Sequence, residues 1–321
     1  MAVWLITGGS GFVGRHVLDG LKAGVEGVAR SDIEVVALGR RRPTGWPEHS
    51  FVATDLNDTT SLRRAVQTIA PDFVVHTAGR TPPAPDDELY RANFWATIHL
   101  LAALRSLEKP LRVVLSGSAA ELGPVDAAHL PVNESYHCQP IGAYGRSKWL
   151  ATRSGQAERS PIEVTVARVF NPIGPGTPTT QAFGRFADRL SDPDPDPLLL
   201  SVGDLESRRD FIDVRDVARA MIALALRGRT GLVYHVGTGR SQRVGDGLER
   251  LIRLGGRSVE VSVDLSLQNR RGPADSCADI DRIVSHTGWQ PSFSWEQSLA
   301  DLWREVRDRK WPSRLDEAAA A

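Results

Sequence analysis

The chain opens on Ala2-Val3-Trp4-Leu5-Ile6-Thr7-Gly8-Gly9-Ser10-Gly11-Phe12-Val13-Gly14, and its first half is organised around this stretch. The apolar residues 2–6 predict a buried strand, and the glycines after them allow a tight turn into a helix. Glycines also let the backbone approach a pyrophosphate, and the helix N-terminus presents free N–H groups and a positive dipole end. We therefore predict that this turn binds a dinucleotide. The residues assigned to it are Gly8, Gly11, Phe12, Val13 and Gly14.

Short apolar runs alternate with helical stretches through the first half of the chain. The predicted strands are 2–7, 33–38, 50–53, 72–76, 111–116 and 162–168. The predicted helices are 12–23, 59–69, 86–107 and 143–158. Short strands that are apolar on both faces are typical of a parallel sheet covered by helices. The sequence therefore predicts an α/β fold, a Rossmann-type doubly wound parallel sheet with a smaller C-terminal substrate-binding lobe.

The second half of the chain is less regular because proline and glycine interrupt it at 171–176 and 191–197. We predict three parts from these breaks. They are a dinucleotide-binding domain over 1–169 and 209–238, a substrate-binding lobe over 170–208 and 239–314, and a frayed tail over 315–321.

Bulk composition excludes several classes of function. Lys plus Arg and Asp plus Glu both number 39 in 321 residues, so no charge excess indicates nucleic acid or an anionic membrane. Cys138 and Cys277 have no metal-like spacing and are predicted to be free thiols, with no metal site. No apolar run approaches the roughly 20 residues of a membrane helix, and residues 2–6 are too short for a signal sequence. We therefore expect a cytoplasmic protein.

The end of the second predicted strand indicates which dinucleotide binds. An NAD site usually has an acidic residue there, whereas this chain reads Ala37-Leu38-Gly39-Arg40-Arg41-Arg42-Pro43. Guanidinium groups suit a 2′-phosphate, so Arg40 and Arg41 favour NADP(H) over NAD(H); the alternative is a solvated basic loop. After the third strand, Asp55 and Leu56 are predicted to meet the adenine ring, unless Asp55 instead caps the next helix.

A tyrosine and a lysine in the predicted helix 143–158 supply candidate chemistry. Tyr144 and Lys148 are four residues apart and share a helix face. A free phenol has a pKa of about 10, but a neighbouring ammonium group and an oxidised nicotinamide stabilise the phenolate. The phenol can then protonate a carbonyl oxygen while hydride reaches the carbon. Ser118, at the end of strand 111–116, can hold that oxygen by a hydrogen bond.

With further motifs, the chain resembles the extended short-chain dehydrogenases/reductases that act on nucleotide sugars. The motifs are residues 7–14, His76-Thr77-Ala78-Gly79, Asn93, Ser116-Gly117-Ser118, Tyr144 with Lys148, 168–176, 209–216 and Thr287-Gly288-Trp289-Gln290-Pro291. The resemblance covers nearly the whole chain. Its later motifs are most similar to those of GDP-4-keto-6-deoxymannose reductases.

The resemblance assigns roles to individual residues. It implies a catalytic triad of Ser118, Tyr144 and Lys148, in which Ser118 also contacts substrate and the other two also contact the cofactor. It further implies that Ala78 and Gly79 line the cofactor site. The residues implied to hold the sugar diphosphate are Asn171, Arg209 and Arg270, although Arg209 has a structural ion pair as its alternative and Arg270 is about one residue out of register.

The resemblance also implies a reaction. We expect NADPH-dependent reduction of a nucleotide-activated 4-keto-6-deoxy sugar by a homodimer that pairs through helices near 88–106 and 143–158. The alternative is a nucleotide-sugar 4-epimerase that retains NAD, and a more remote one is a nucleotide-sensing protein without catalysis. The related 4,6-dehydratases carry glutamate two residues after the catalytic Ser or Thr. Here that position is Ala120, and Glu121 comes one place late and is expected to face elsewhere.

Overall fold

The computed structural model describes residues 1–24, 30–192, 197–264 and 275–310. The strands are β1 (Ala2–Thr7), β2 (Ile33–Gly39), β3 (Phe51–Ala53), β4 (Phe73–His76), β5 (Leu111–Ser118), β6 (Ile162–Val169), β7 (Asn171–Ile173), β8 (Leu198–Val202), β9 (Arg208–Asp213), β10 (Val233–Val236), β11 (Ser241–Arg243) and β12 (Val259–Val263). The helices are α1 (Phe12–Ala23), α2 (Thr59–Ile69), α3 (Asp86–Tyr90), α4 (Ala96–Arg105), α5 (Gly142–Ala157), α6 (Ala182–Leu190), α7 (Val214–Arg227), α8 (Val244–Gly255), α9 (Asp281–Thr287) and α10 (Trp295–Lys310).

A seven-stranded sheet in the order β10-β6-β5-β4-β1-β2-β3 forms the centre of the fold. Every neighbouring pair in it is parallel. The six strands predicted from the sequence are all present, which confirms the Rossmann-type doubly wound sheet. Strand order reverses between β1 and β4, and ligands of such sheets bind beyond the carboxyl ends of the strands at this crevice.

Apolar side chains of β1 alternate between the two faces of the sheet and anchor both halves of the core. Trp4 and Ile6 pack with residues of α1 and α7 on one face. Leu5 packs with residues of α2 and α4 on the other face. All three side chains are buried. Helices therefore cover both faces of the sheet and leave its carboxyl edge for ligands.

The helix predicted over 86–107 is interrupted. A π-helical turn, Arg91–Trp95, separates α3 from α4. The turn contains the buried Asn93, whose side chain accepts from Arg80 N at 2.8 Å and donates to Arg80 O at 3.0 Å and to Ser147 Oγ at 3.1 Å. Turns of this kind are rare and occur frequently at functional sites. Asn93 thus ties the loop after β4 to α5.

The remaining elements form a smaller lobe around its own core. A three-stranded sheet, β11-β9-β7, and a two-stranded sheet, β12-β8, pack with α6, α8 and α10. Within the predicted segment 209–238, β9 lies in the three-stranded sheet, whereas β10 is an edge strand of the seven-stranded sheet and α7 packs against that sheet. The predicted domain boundaries stay a prediction.

Each helix of the described residues is too short or too polar to cross a membrane. Cys138 and Cys277 are free cysteines, and Cys277 is the more buried of the two.

Candidate active site

The glycine-rich turn after β1 fits a pyrophosphate because side chains are excluded where the backbone packs. Gly8 has a φ of +76°, and a Cβ there would lie 2.5 Å from Ala78 N. Its carbonyl accepts from Gly11 N at 2.9 Å. A Cβ on Gly14 would lie 2.2 Å from Gly8 O, so α1 packs directly beneath the turn. The turn therefore presents bare backbone beside the N-terminus of α1, as the sequence predicted.

A cavity of about 420 Å³ lies beside this turn, and we call it the cofactor cavity. The predicted residues that line it are Gly8, Gly11, Arg40, Arg41, Asp55, Leu56, Ala78 and Gly79. Phe12, Val13, Gly14, Tyr144 and Lys148 are outside this lining. Val13 packs on the core, and Gly14 lies under the turn. Arg80, which no sequence motif had indicated, also lines the cavity and pairs with Glu88 at 2.9 Å.

Two roles were predicted for Asp55, the acidic residue after β3: a contact with the adenine ring or the cap of the next helix. The structure excludes the second role. Asp55 accepts from Asn57 N at 2.9 Å in a local turn. The cap of α2 is Asp58, which accepts from Ser61 N at 3.1 Å. The prediction that Asp55 caps this helix is therefore wrong, because the chain turns once more before the helix begins. Asp55 instead lines the cofactor cavity, where it was predicted to meet the adenine.

The three predicted catalytic residues converge at the carboxyl end of β5. Tyr144, near the start of α5, lies beside the side chain of Ser118, which lowers the pKa of its phenol. Lys148, one turn further along α5, donates from Nζ to Ser116 O at 2.8 Å. A Cβ on Gly79 would lie 3.5 Å from Lys148 Nζ, so the ammonium group reaches the wall of the cofactor cavity.

Burial shifts the pKa values of Tyr144 and Lys148 in opposite directions, each toward the uncharged form of the group. Burial among protein atoms raises the pKa of the Tyr144 phenol, and the neighbouring Ser118 side chain partly opposes this shift. Burial lowers the pKa of Lys148 to about 8, and the Glu121 carboxylate opposes that change. At neutral pH the phenol is therefore protonated and can act as an acid, while the ammonium group beside it keeps its charge.

A second cavity, of about 720 Å³, lies on the other side of Tyr144, and we call it the substrate cavity. Ser118, Tyr144, Asn171 and Arg209 all line it, as expected of substrate contacts. Asn171 donates from Nδ2 to Asp210 O at 3.0 Å. The predicted contact Arg270 lies outside the described residues.

The environment of Arg209 leaves both of its predicted roles open. Burial lowers the pKa of the guanidinium, and the carboxylates of Asp204 and Asp275 oppose this shift. Nη1 donates to Arg208 O at 2.7 Å. A cationic group at the cavity wall suits a diphosphate, and carboxylates nearby suit an ion pair.

Aromatic side chains that had not been predicted to contact substrate form part of the wall of the substrate cavity. Phe183 and Phe211 line the cavity with their rings edge to face, centroids 5.0 Å apart. Trp295 stacks on Phe211 from behind, with centroids 4.7 Å apart. Phe211 lies inside a motif that the sequence had singled out, whereas Phe183 had no signal beyond an apolar position.

Glu121, three residues after Ser118, faces away from the substrate cavity, as predicted. Ala119 and Ala120 line the cavity. Glu121 is fully buried, accepts from Ser118 N at 2.8 Å and pairs with Arg168 at 3.0 Å. Alanine thus occupies the cavity wall at the position where a dehydratase of this kind carries its acid.

The sequence model of the NAD-dependent epimerase/dehydratase family matches residues 4–237. The chain belongs to that family. This membership confirms the resemblance seen in the motifs and the prediction of an NAD(P)-dependent enzyme of the extended short-chain dehydrogenase/reductase type. The match includes the glycine-rich turn and the three residues at the end of β5.

Individual relatives are similar over almost their whole length. The chain is 30% identical to GDP-6-deoxy-D-mannose reductase of Pseudomonas aeruginosa, over 97% of this chain and 98% of the relative. It is 29% identical to dTDP-6-deoxy-L-talose 4-dehydrogenase (NAD(P)(+)) of Kitasatospora kifunensis, over 93% of each. The structure of RMD from Pseudomonas aeruginosa complexed with NADPH superposes with a TM-score of 0.81 at 28% identity, covering 96% of this chain and 98% of that one. A nicotinamide cofactor therefore fits both the site and the family.

Proposed function

We propose that the protein reduces a nucleotide-activated 4-keto-6-deoxyhexose with NADPH. The observation that carries this proposal is the placement of Ser118 and Tyr144 side by side at the wall of the substrate cavity, with Lys148, one turn further along α5, close to Gly79 in the wall of the cofactor cavity. In this arrangement the phenol of Tyr144 faces the keto oxygen from the substrate cavity, and the hydride donor in the cofactor cavity faces the keto carbon. The two relatives named above support a 6-deoxyhexose carried on GDP or dTDP.

The residues of the chain supply binding, orientation and the proton. Bound NADPH supplies the hydride. The Ser118 hydroxyl holds the keto oxygen beside Tyr144, and the phenol gives that oxygen its proton. Lys148 remains charged next to the phenolate that results and stabilises it. Arg209 and Asn171 line the cavity wall, where the diphosphate of the substrate would lie.

NADPH is proposed over NADH because of the end of β2. Arg40 and Arg41 line the cofactor cavity and are exposed, so they can meet a 2′-phosphate. The relative from Kitasatospora kifunensis is described for both cofactors, NAD(P)(+).

Turnover with purified substrates tests the proposal. The protein is mixed with NADPH and a GDP- or dTDP-linked 4-keto-6-deoxyhexose, and the absorbance of the reduced nicotinamide is followed. We expect one NADPH consumed for each sugar reduced, and a cofactor that dialysis removes. Interconversion of nucleotide-sugar epimers without added cofactor, by protein that carries NAD through purification, would instead show a 4-epimerase. Binding of these nucleotide sugars with neither reaction would show a sensing protein.

A further inference from the structure

A row of buried polar side chains lies behind Ser118, on the side away from the substrate cavity. Glu121 Oε1 accepts from Ser118 N at 2.8 Å. Its other oxygen, Oε2, accepts from Nε and Nη2 of Arg168 at 3.1 and 3.0 Å. The two side chains are 0% and 4% exposed. The main chain of the serine that holds the keto oxygen is thus fixed by a buried charged group.

The far side of Arg168 is fixed as well. Its Nη1 lies 3.3 Å from Nε2 of His235. Burial lowers the pKa of His235 to about 3, so the ring is neutral. His235 Nδ1 lies 3.0 Å from Val132 O, which can only accept, so Nδ1 carries the proton and Nε2 accepts from the guanidinium. Arg168 is therefore held on Glu121 from both sides.

A simpler role for Glu121 does not account for its charge. Ser118 and Glu121 form a capping box around the short 3₁₀ turn that follows β5. A neutral glutamine can make the same reciprocal contact. Burying an ion pair is costly and often adds nothing to stability. The residue before Ser118 is also a glycine, Gly117. A Cβ there would lie 2.6 Å from Glu121 Oε1, so the carboxylate packs directly against the backbone of β5.

We propose that Glu121 is a positioning residue of the reductase site, which fixes the end of β5 at Ser118 and places a negative charge behind Tyr144 and Lys148, with Arg168 as its counter-charge. This inference rests on the proposed function. It assigns Glu121 no contact with substrate or cofactor.

The charges around the pair predict opposite effects for its two members. Glu121 raises the pKa values of Tyr144 and Lys148. Loss of its negative charge, with Arg168 left in place, therefore lowers both pKa values, and loss of the positive charge of Arg168 raises them. Three other titratable groups packed here are neutral near pH 7: His235 on β10, His76 on β4 beside Lys148, and the thiol of Cys138, whose pKa burial raises. The charged groups nearby are Arg153 on α5 and Arg282, which pairs with Glu134 at 3.4 Å.

Two variants separate positioning from mere stability, because both break the same ion pair and remove charges of opposite sign. In Glu121→Gln, we expect the alkaline limb of the kcat–pH profile to move to lower pH. In Arg168→Gln, we expect it to move to higher pH. At neutral pH, Glu121→Gln should also lower kcat, because a smaller fraction of Lys148 then carries its charge, with KM for the keto sugar little changed.

A purely structural pair would give a different result. Both variants would lose folded protein, and the folded fraction would keep the wild-type alkaline limb. Shifts in the same direction would equally overturn the proposal. If either single variant fails to fold, the double variant Glu121→Gln/Arg168→Gln restores an uncharged pair. Its alkaline limb should still lie below that of the wild type, because Glu121 is the member nearer to the triad, and an unchanged limb there contradicts the proposal.

A second measurement keeps this inference apart from the proposed function. The ultraviolet absorbance of tyrosinate is titrated with NADP⁺ bound, and the same variant carrying Tyr144→Phe is subtracted to isolate Tyr144. We expect the midpoint to fall in Glu121→Gln and to rise in Arg168→Gln. If the wild type reduces no keto sugar, the proposed function fails, but this titration still decides the role of Glu121. Identical midpoints in the wild type and both variants would refute it.

Discussion

Replacing Tyr144 with phenylalanine tests the proposed proton donor most directly. The ring of phenylalanine preserves packing on α5, and the only group removed is the hydroxyl that lies beside the Ser118 side chain. Ser118 Oγ still accepts from Ala120 N at 3.2 Å, so its capping contact survives. We therefore expect a stability loss near that of one hydrogen bond, about 1 kcal/mol. Loss of a general acid lowers kcat by about 10²–10⁴-fold, or about 2.7–5.5 kcal/mol of activation free energy.

The assay compares initial rates of NADPH oxidation at saturating keto sugar, together with NADPH affinity from fluorescence and the melting temperature. Tyr136→Phe is the matched control. It removes a hydroxyl that donates to Pro124 O at 3.1 Å and lies outside the lining of both cavities. This control should retain the wild-type rate. Tyr144 is not the acid if Tyr144→Phe keeps more than about a tenth of that rate, or if the control loses as much.

Four further outcomes are expected. Fluorescence titration should show tighter binding of NADPH than NADH, and replacing Arg40 and Arg41 with serine should remove the difference; equal affinities in the wild type would place both side chains in solvent. Dehydration of GDP-mannose or dTDP-glucose should be undetectable by NMR, because Ala120 supplies no acid, and a 4-keto-6-deoxy product would contradict this. Light scattering should give a mass twice the 35.0 kDa of one chain. Trp95→Asp, at a half-exposed position between α3 and α4, should reduce that mass to the mass of one chain, and a wild-type monomer would exclude the dimer. Because burial lowers the pKa of Lys148 to about 8, kcat should fall as pH rises through that value and the ammonium loses its proton; a constant kcat up to the ordinary lysine pKa of about 10.4 would refute this.

The parts of the fold that the sequence predicted are those encoded locally. The strand Ala2–Thr7, the glycine turn and α1 follow from one apolar run and three glycine positions. Tyr144 and Lys148 were found because a separation of four residues places two side chains on one helix face. Ser118 was found because parallel sheets place their functional groups at the carboxyl ends of strands.

The parts that the sequence did not predict depend on contacts between distant residues. The π turn at Asn93 involves hydrogen bonds to Arg80, thirteen residues earlier, and to Ser147, 54 residues later. Periodicity alone therefore predicted one uninterrupted helix. The ion pair of Glu121 with Arg168 spans 47 residues. A single sequence shows neither the pairing nor the burial, so Glu121 was expected only to face elsewhere.

Three contacts hold together the end of β5, the 3₁₀ turn that follows it and α5, and so fix the arrangement of the three proposed catalytic residues. Lys148 binds Ser116 O at 2.8 Å, and Glu121 binds Ser118 N at 2.8 Å. Gly145 packs so closely that a Cβ there would lie 2.5 Å from Ala120 O. Preorganised groups of this kind act on the transition state without reorganisation during the reaction. A loosened contact should therefore lower kcat more than it raises KM, because the substrate still binds in its cavity but meets a misplaced acid.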